Sequence, residues 1–406
     1  MKIAIINHAS SLNLGDQALL ISTVNTFRDI FKENDLKITV FCSDLEDELI
    51  VRENNNRYPK DVILERSPVY RPKSSKDILN LGISTIFNVL QLILKKTTNF
   101  TKIINNSDII VVRGGDNLTD IYSIPALISQ LMPIIYASQS QRLIFISHTI
   151  GPFKNKLIKK LFFSILKRTD SYYIVRDEYS YNLLCEHSIY DVAFIPDIAF
   201  TLPIEKKKNL NKNLIGIVIS GLVYNKIGMS ENEYCSQWRK AIEHILDMHQ
   251  NTKIILIPHV FRERDSDEIV SQKVWNMLND KYKHRIQISK SIDVVSTKEA
   301  ISQCHCLISL RMHPIVHALS LGIPCIGIDY NLKTKYLLTY CGLSDYIISL
   351  NKLMNKSFID KISFMLSELY DDIEYEKVHN NINKTINEKN ILNQYKKCIS
   401  DAIEGK

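Results

Sequence analysis

Short runs rich in β-branched residues alternate with longer segments whose apolar positions recur every three or four residues, and the alternation persists over most of the chain. In the first half, strand-like runs occupy Lys2–Asn7, Lys37–Ser43, Asp61–Glu65, Asp108–Val112, Arg142–Ser147, Tyr172–Val175 and Val192–Ile195. Helical periodicity covers Gln17–Phe31, Leu79–Leu94, Ile124–Ser138, Asn155–Lys167 and Glu178–Glu186. A βαβα order predicts a parallel sheet with helices on both faces. After Pro203 a charged, Asn-rich stretch, EKKKNLNKN, interrupts the pattern. The pattern then restarts, with strands at Leu214–Ser220, Lys253–Pro258, Arg285–Ser289, Cys306–Leu310 and Pro324–Ile328. This predicts an N-terminal domain at 1–203, a linker at 204–213, a second domain at 214–350 and a helical tail at 351–406. In the tail, Lys361–Leu369 and Val378–Ala402 read as helices.

The fold class expected is therefore α/β, with two Rossmann-like domains facing a cleft and a helical C-terminal tail, an arrangement that would resemble glycosyltransferase B folds. In open parallel sheets ligands bind at the carboxyl ends of strands, so the residues after each strand become the candidates.

Composition narrows the function classes. The chain has 406 residues, 45% hydrophobic and 23% charged, the balance of a globular protein. Its net charge of +7 is spread along the sequence, which predicts no nucleic-acid partner and a mild preference for anions. Eight cysteines are too sparse for a disulfide scaffold, and Cys304 and Cys306 match no common zinc spacing, so no metal is expected. Met1 leads directly into a strand-like run without a leader pattern, which predicts a cytoplasmic, reduced protein. Over Ile78–Leu94 the polar residues Asn80, Ser84, Asn88 and Gln91 form a stripe, with Arg71, Lys73 and Lys76 before it and Lys95 and Lys96 after. This segment, Ile78–Lys96, reads either as a peripheral contact with the inner face of the membrane or as a helix packed on its own domain, the reading preferred here.

Several strand ends carry chemistry. After the first strand come Asn7, Gly15 and Asp16, where Asp16 is expected to cap the next helix or to meet a ligand. After Asp108–Val112 come Arg113, Gly114, Gly115 and Asp116, read as a Gly-Gly turn that lets a ligand approach closely. His148 precedes Gly151-Pro152, Arg176 ends a strand where it could clamp an anion, and Asp197 follows Pro196. In the second domain, His259 lies beyond a strand, followed by Arg262, Asp265 and Asp267. Ser309-Leu310-Arg311-Met312-His313-Pro314 combines a strand end, a fixed cation, a titratable imidazole and a proline suited to a first helical turn. Lys333 follows the next strand, so Arg311, His313 and Lys333 are expected at one sheet edge.

Taken in order, these segments resemble the polysaccharide pyruvyltransferase family. The matches are the Asn7…Gly15-Asp16 loop, Gly114-Gly115…Leu118…Asp120, His148…Gly151-Pro152, Arg176-Asp177…Ser180, Pro196-Asp197, His259…Asp265, and Ser309 through Gly322-Ile323-Pro324 to Lys333. The family's Arg-Leu-His is Arg311-Met312-His313 here, a volume-conserving exchange. The resemblance implies transfer of pyruvate from phosphoenolpyruvate, the co-substrate, to two hydroxyls of a nucleotide- or lipid-linked sugar. The product is a cyclic ketal, with release of phosphate and no cofactor, in capsule or exopolysaccharide synthesis at the cell surface. It implies that Arg176, Arg311 and Lys333 bind the donor and that His313 is the general acid. Asn7, Asp16, Gly114, Gly115, Asp116, His148, Asp197 and His259 become acceptor contacts or base candidates, with Asp16, Asp116 and Asp197 open as the base.

Two other classes compete. A nucleotide-sugar glycosyltransferase of the same architecture would be expected to carry paired glutamates in the second domain, and none lies between Ile301 and Ser367. A non-catalytic saccharide-binding scaffold would be expected to lose charged groups, whereas Arg176, Arg311, His313 and Lys333 are all present.

Overall fold

The computed structural model describes residues 1–31, 36–68, 98–204, 210–329, 332–351 and 357–405. The Ile78–Lys96 segment lies outside the described residues. No described helix is long and apolar enough to cross a membrane.

The chain divides into two compact units. Unit 1 comprises Met1–Ser11, Asp16–Ile198 and Ile391–Lys406, and unit 2 comprises Leu12–Gly15 and Ala199–Asn390. The tail expected at 351–406 is thus shared. Helices Ser357–Tyr370 and Asp372–Lys389 fall in unit 2, and helix Ile391–Glu404 falls in unit 1. Val378–Ala402, read from periodicity as one helix, is broken at Asn390, whose φ of 39° no continuing helix adopts.

Unit 1 is built on strands β1 (Lys2–His8), β2 (Lys37–Cys42), β3 (Ile63–Arg66), β4 (Ile109–Leu118), β5 (Leu143–Ile150), β6 (Ser171–Val175) and β7 (Val192–Phe194). They pair in parallel in the order β3-β2-β1-β4-β5-β6-β7. Helices on both faces make the central strands continuous apolar runs, such as Ile3–Ile6 and Ile109–Val112. Each Ile or Leu so buried contributes about 1.5–3 kcal/mol. The direction of the winding reverses between β1 and β4, where ligands of open α/β sheets bind.

Unit 2 repeats the plan with β8 (Asn211–Val218), β9 (Lys253–Leu256), β10 (Ile286–Ile288), β11 (Cys304–Ser309), β12 (Cys325–Asp329) and β13 (Ile347–Ser349). The parallel order is β10-β9-β8-β11-β12-β13, with the reversal between β8 and β11. β8 begins at Asn211, inside the segment expected as a linker, and β13 has no counterpart in the sequence reading. Leu12–Gly15 joins this unit by main-chain pairing. Phe261 donates to the Leu12 carbonyl (2.8 Å), Leu14 donates to the His259 carbonyl (3.0 Å), and Asn13 bridges Val260 antiparallel.

Two local expectations are corrected. Gly114-Gly115 is no turn, because β4 runs through it to Leu118 with a register shift against β5. A Cβ at Gly114 would collide with the Ile146 and Ser147 carbonyls, so glycine here permits close strand approach. Asp16 does not cap its helix either. The helix starts at Leu14, and the Asn13 side chain accepts from the Gly15 amide (3.1 Å).

Candidate functional site

In unit 2, one carboxylate ties together three strand ends at the reversal point. Ser266 caps helix Asp267–Met277, its hydroxyl accepting from the Ile269 amide, which makes Asp267 the first helical residue. The fully buried Asp267 accepts from the Gly221 amide after β8 (2.9 Å) and from the His259 and Val260 amides after β9 (3.2 and 3.1 Å). Arg311, after β11, grips it with two nitrogens, Nη2 at 2.6 Å and Nε at 3.2 Å. Ser309 fixes the Arg311 backbone from both sides, accepting its amide proton (3.0 Å) and donating to its carbonyl (2.8 Å). A forked, charge-assisted pair of this kind sets guanidinium direction as well as position.

Arg311 occupies the cap position of helix Met312–Leu319, and His313 lies in that helix's first turn, where free amides and the helix dipole favour an anion. The His313 ring lies against the backbone of Gly15, where an added Cβ would fall inside the ring's van der Waals envelope. Behind it, 6.5 Å away and within 18° of parallel, is His259, and His317 lies 5.8 Å from His259. His259 and His317 are buried with neither ring nitrogen hydrogen-bonded, and burial holds both well below the usual imidazole range, with the charges of neighbouring groups adding to it. They form a neutral backing for His313. Lys333 lies in the first turn of helix Leu332–Tyr340, half-buried.

Unit 1 has a hub of opposite sign at its own reversal point. The fully buried Arg113, in β4, pairs with Asp16 (2.9 Å) and donates to the Asn7 carbonyl at the end of β1 (3.3 Å). Asn7 itself has a φ of 64° and donates from its side chain to the Gln130 carbonyl (3.1 Å). Gly115 and Asp116 lie in the last part of β4, with the Tyr122 hydroxyl bonded to Asp116.

At the ends of β5, β6 and β7, Arg176 pairs with Asp197 (2.6 Å), both side chains almost wholly buried. Arg176 Nε donates to the Thr149 hydroxyl (2.9 Å), which donates to Asp177 (2.7 Å). Asp177 caps helix Glu178–Glu186 through the Ser180 amide. His148 is enclosed, with Nε2 at 3.1 Å from the Val112 carbonyl, an acceptor that assigns the ring proton to Nε2. Desolvation pushes its pKa down to about 3, so it is neutral at physiological pH.

Asp267, Ser309, Thr149 and Arg113 received no role in the sequence reading. The signal for Asp267 was its place in a polar run after the His259 strand, but the pairing with Arg311 spans 44 residues and has no local pattern. A further group, Glu48, is fully buried and accepts from the Ser11 hydroxyl (2.6 Å) and the Tyr58 hydroxyl (2.7 Å), with His8 Nε2 at 3.1 Å. Burial opposes its ionisation, but His8 and these donors outweigh it and bring its pKa down to about 2. It anchors Ser11, the residue just before the Leu12–Gly15 excursion.

Residues 13–331 match the family model for polysaccharide pyruvyl transferase, so the chain belongs to that family and is a transferase. It is 20% identical over 323 residues to the amylovoran biosynthesis protein AmsJ of Erwinia amylovora, covering 75% of each chain. Among solved structures, the UDP-GlcNAc 2-epimerase of Neisseria meningitidis bound to UDP-GlcNAc shares the fold at a TM-score of 0.58 and 13% identity, over 100% of both chains. Anabaena HepE, in complex with UDP and glucose, does so at 0.57 and 12%, again over 100% of both.

Proposed function

We propose that this transferase moves pyruvate from phosphoenolpyruvate onto two hydroxyls of a saccharide, nucleotide- or lipid-linked, during exopolysaccharide or capsule synthesis. The observation that carries the reading is Arg311, locked in direction by Asp267 and placed beside His313 at a helix N-terminus. Phosphoenolpyruvate carries a phosphate and a carboxylate. A rigid guanidinium and helix amides suit it without rearrangement at the moment of reaction, and Lys333, after the strand next to β11, is the further cation assigned to it.

In this reading the donor, once bound, raises the proton affinity of His313 through its own negative charge, so it charges the acid it uses. His313 gives that proton to the methylene carbon. The central carbon becomes electrophilic, one sugar hydroxyl adds to it, and the carbon–oxygen bond to phosphate breaks. The second hydroxyl then adds, closing the ketal. Of the two hydroxyl protons, one restores His313 and the other leaves with phosphate, so the products are the ketal and inorganic phosphate. In unit 1, Arg176 is assigned to the donor, and Asp16, Asp116 and Asp197 are the base candidates. Two of these carboxylates are already committed to buried arginines, Asp16 to Arg113 and Asp197 to Arg176. A base must shed such a partner or act through it; Asp116 is itself bonded by the Tyr122 hydroxyl, and all three stay candidates.

The test is to incubate purified protein with phosphoenolpyruvate and a panel of saccharide diols. Phosphate release is followed together with a product mass gain of one pyruvate less one water. Release by the native protein, lost in a His313→Ala variant of unchanged melting temperature and in Arg311→Lys, is the expected result. Nucleotide release from a UDP-sugar, with phosphoenolpyruvate inert, would overturn the reading in favour of glycosyl transfer.

A further inference from the structure

Helix Lys156–Leu166 of unit 1 has two apolar faces. Phe162, Phe163 and Leu166 are buried in the core and account for its attachment. Leu157 and Leu161, one turn apart, are instead 76% and 58% exposed. Beside them Lys156 and Lys160 form a neighbouring row, Lys154 precedes the helix, and Lys167 and Arg168 follow it, all exposed. From Pro152 to Thr169 the chain carries six cations, Lys159 being the sixth, and no Asp or Glu.

A second segment is tied to the start of this helix. Asp120 accepts from the Lys154 and Asn155 amides (2.7 and 2.8 Å), which fixes the turn after β4 beside the start of this helix. On that turn and the helix it leads into, Ile121, Ile124 and Ile128 are exposed. A single exposed leucine is ordinary, but two of them one turn apart, in a run of six cations without an acid, are not.

We propose that this face of unit 1 rests on an anionic lipid surface. Leu157 and Leu161 enter the headgroup–acyl boundary, and the flanking lysines and Arg168 meet acidic headgroups. Charge complementarity selects this occupant. A neutral protein partner would gain nothing from six like charges, and a nucleic acid would gain nothing from the leucines. The inference is independent of the transfer reaction.

The test is flotation of the full chain with phosphatidylcholine vesicles, alone or mixed with phosphatidylglycerol, at low and high salt. The protein is expected to float with the mixed vesicles only and to release them at high salt. Lys156→Gln/Lys160→Gln and Leu157→Ser/Leu161→Ser should each weaken partitioning by about tenfold or more, with melting temperature unchanged. Absence of flotation would overturn the proposal, and so would flotation indifferent to both double variants. Loss in the lysine variant alone would also overturn it, since it would mark a site for soluble polyanions.

Discussion

A carboxylate that accepts from a guanidinium and three backbone amides cannot be replaced piecemeal. Asp267→Asn keeps the shape but removes the charge that balances a buried Arg311 and leaves acceptor sites replaced by donors. Breaking such a pair costs about 3–5 kcal/mol. Denaturant titration should show a loss of that size, and phosphate release should fall with it. Gly15→Ala isolates geometry from stability more cleanly. The new methyl group must displace the His313 ring, and a shift of about 1 Å at a reacting group costs about a hundredfold in rate. The expected outcome is turnover reduced by that order with the melting temperature within a few degrees of native; an unaltered rate would separate His313 from the chemistry.

At the scale of elements, helix Val294–Ile301 buries Lys298, whose Nζ donates to the Leu202 carbonyl at 2.6 Å. Desolvation lowers its pKa to about 7. The unfolded chain holds this proton until about pH 10.4, so between these values the unfolded state binds more protons and stability rises with pH. The contribution is about 1.4 kcal/mol per pH unit across that window, and below it the full penalty applies. Urea midpoints at pH 7 and 9 should therefore differ between native protein and Lys298→Met, with the variant gaining most at the lower pH. Elements were the most legible level of the sequence. Strands β1, β6 and β9 follow directly from β-branched and aromatic runs, and Glu178–Glu186 from its helical periodicity. The sequence pattern ends β4 at Val112 because glycine normally interrupts a strand, whereas here its missing side chain admits β5. Arg311 and His313 were legible as a pair because they are neighbours in sequence. Arg176 and Asp197, 21 residues apart, were singled out separately but not as each other's partner. Ion-pair partners are set by the strand order, which no local pattern carries.

For the whole molecule, unit 1 depends on a helix supplied from the far end of the chain. Tyr395, fully buried, donates to the Pro196 carbonyl at 3.1 Å. Truncation after Asn390 should therefore destabilise unit 1 and leave unit 2 folded, which hydrogen exchange would resolve as lost protection in β5–β7 with β8–β12 unchanged. Equal loss in both units would refute that independence.

The backbone passes between the two units at Ser11/Leu12, Gly15/Asp16, Ile198/Ala199 and Asn390/Ile391. During synthesis, the strand of Met1–Ser11 leaves the ribosome long before Ile391–Lys406, which its unit needs to be complete. Unit 2 receives its four-residue contribution before any of its strands exist. Anyone building chimeras with a relative would have to exchange three separate gene segments for unit 1 and two for unit 2, one of the latter only four codons long.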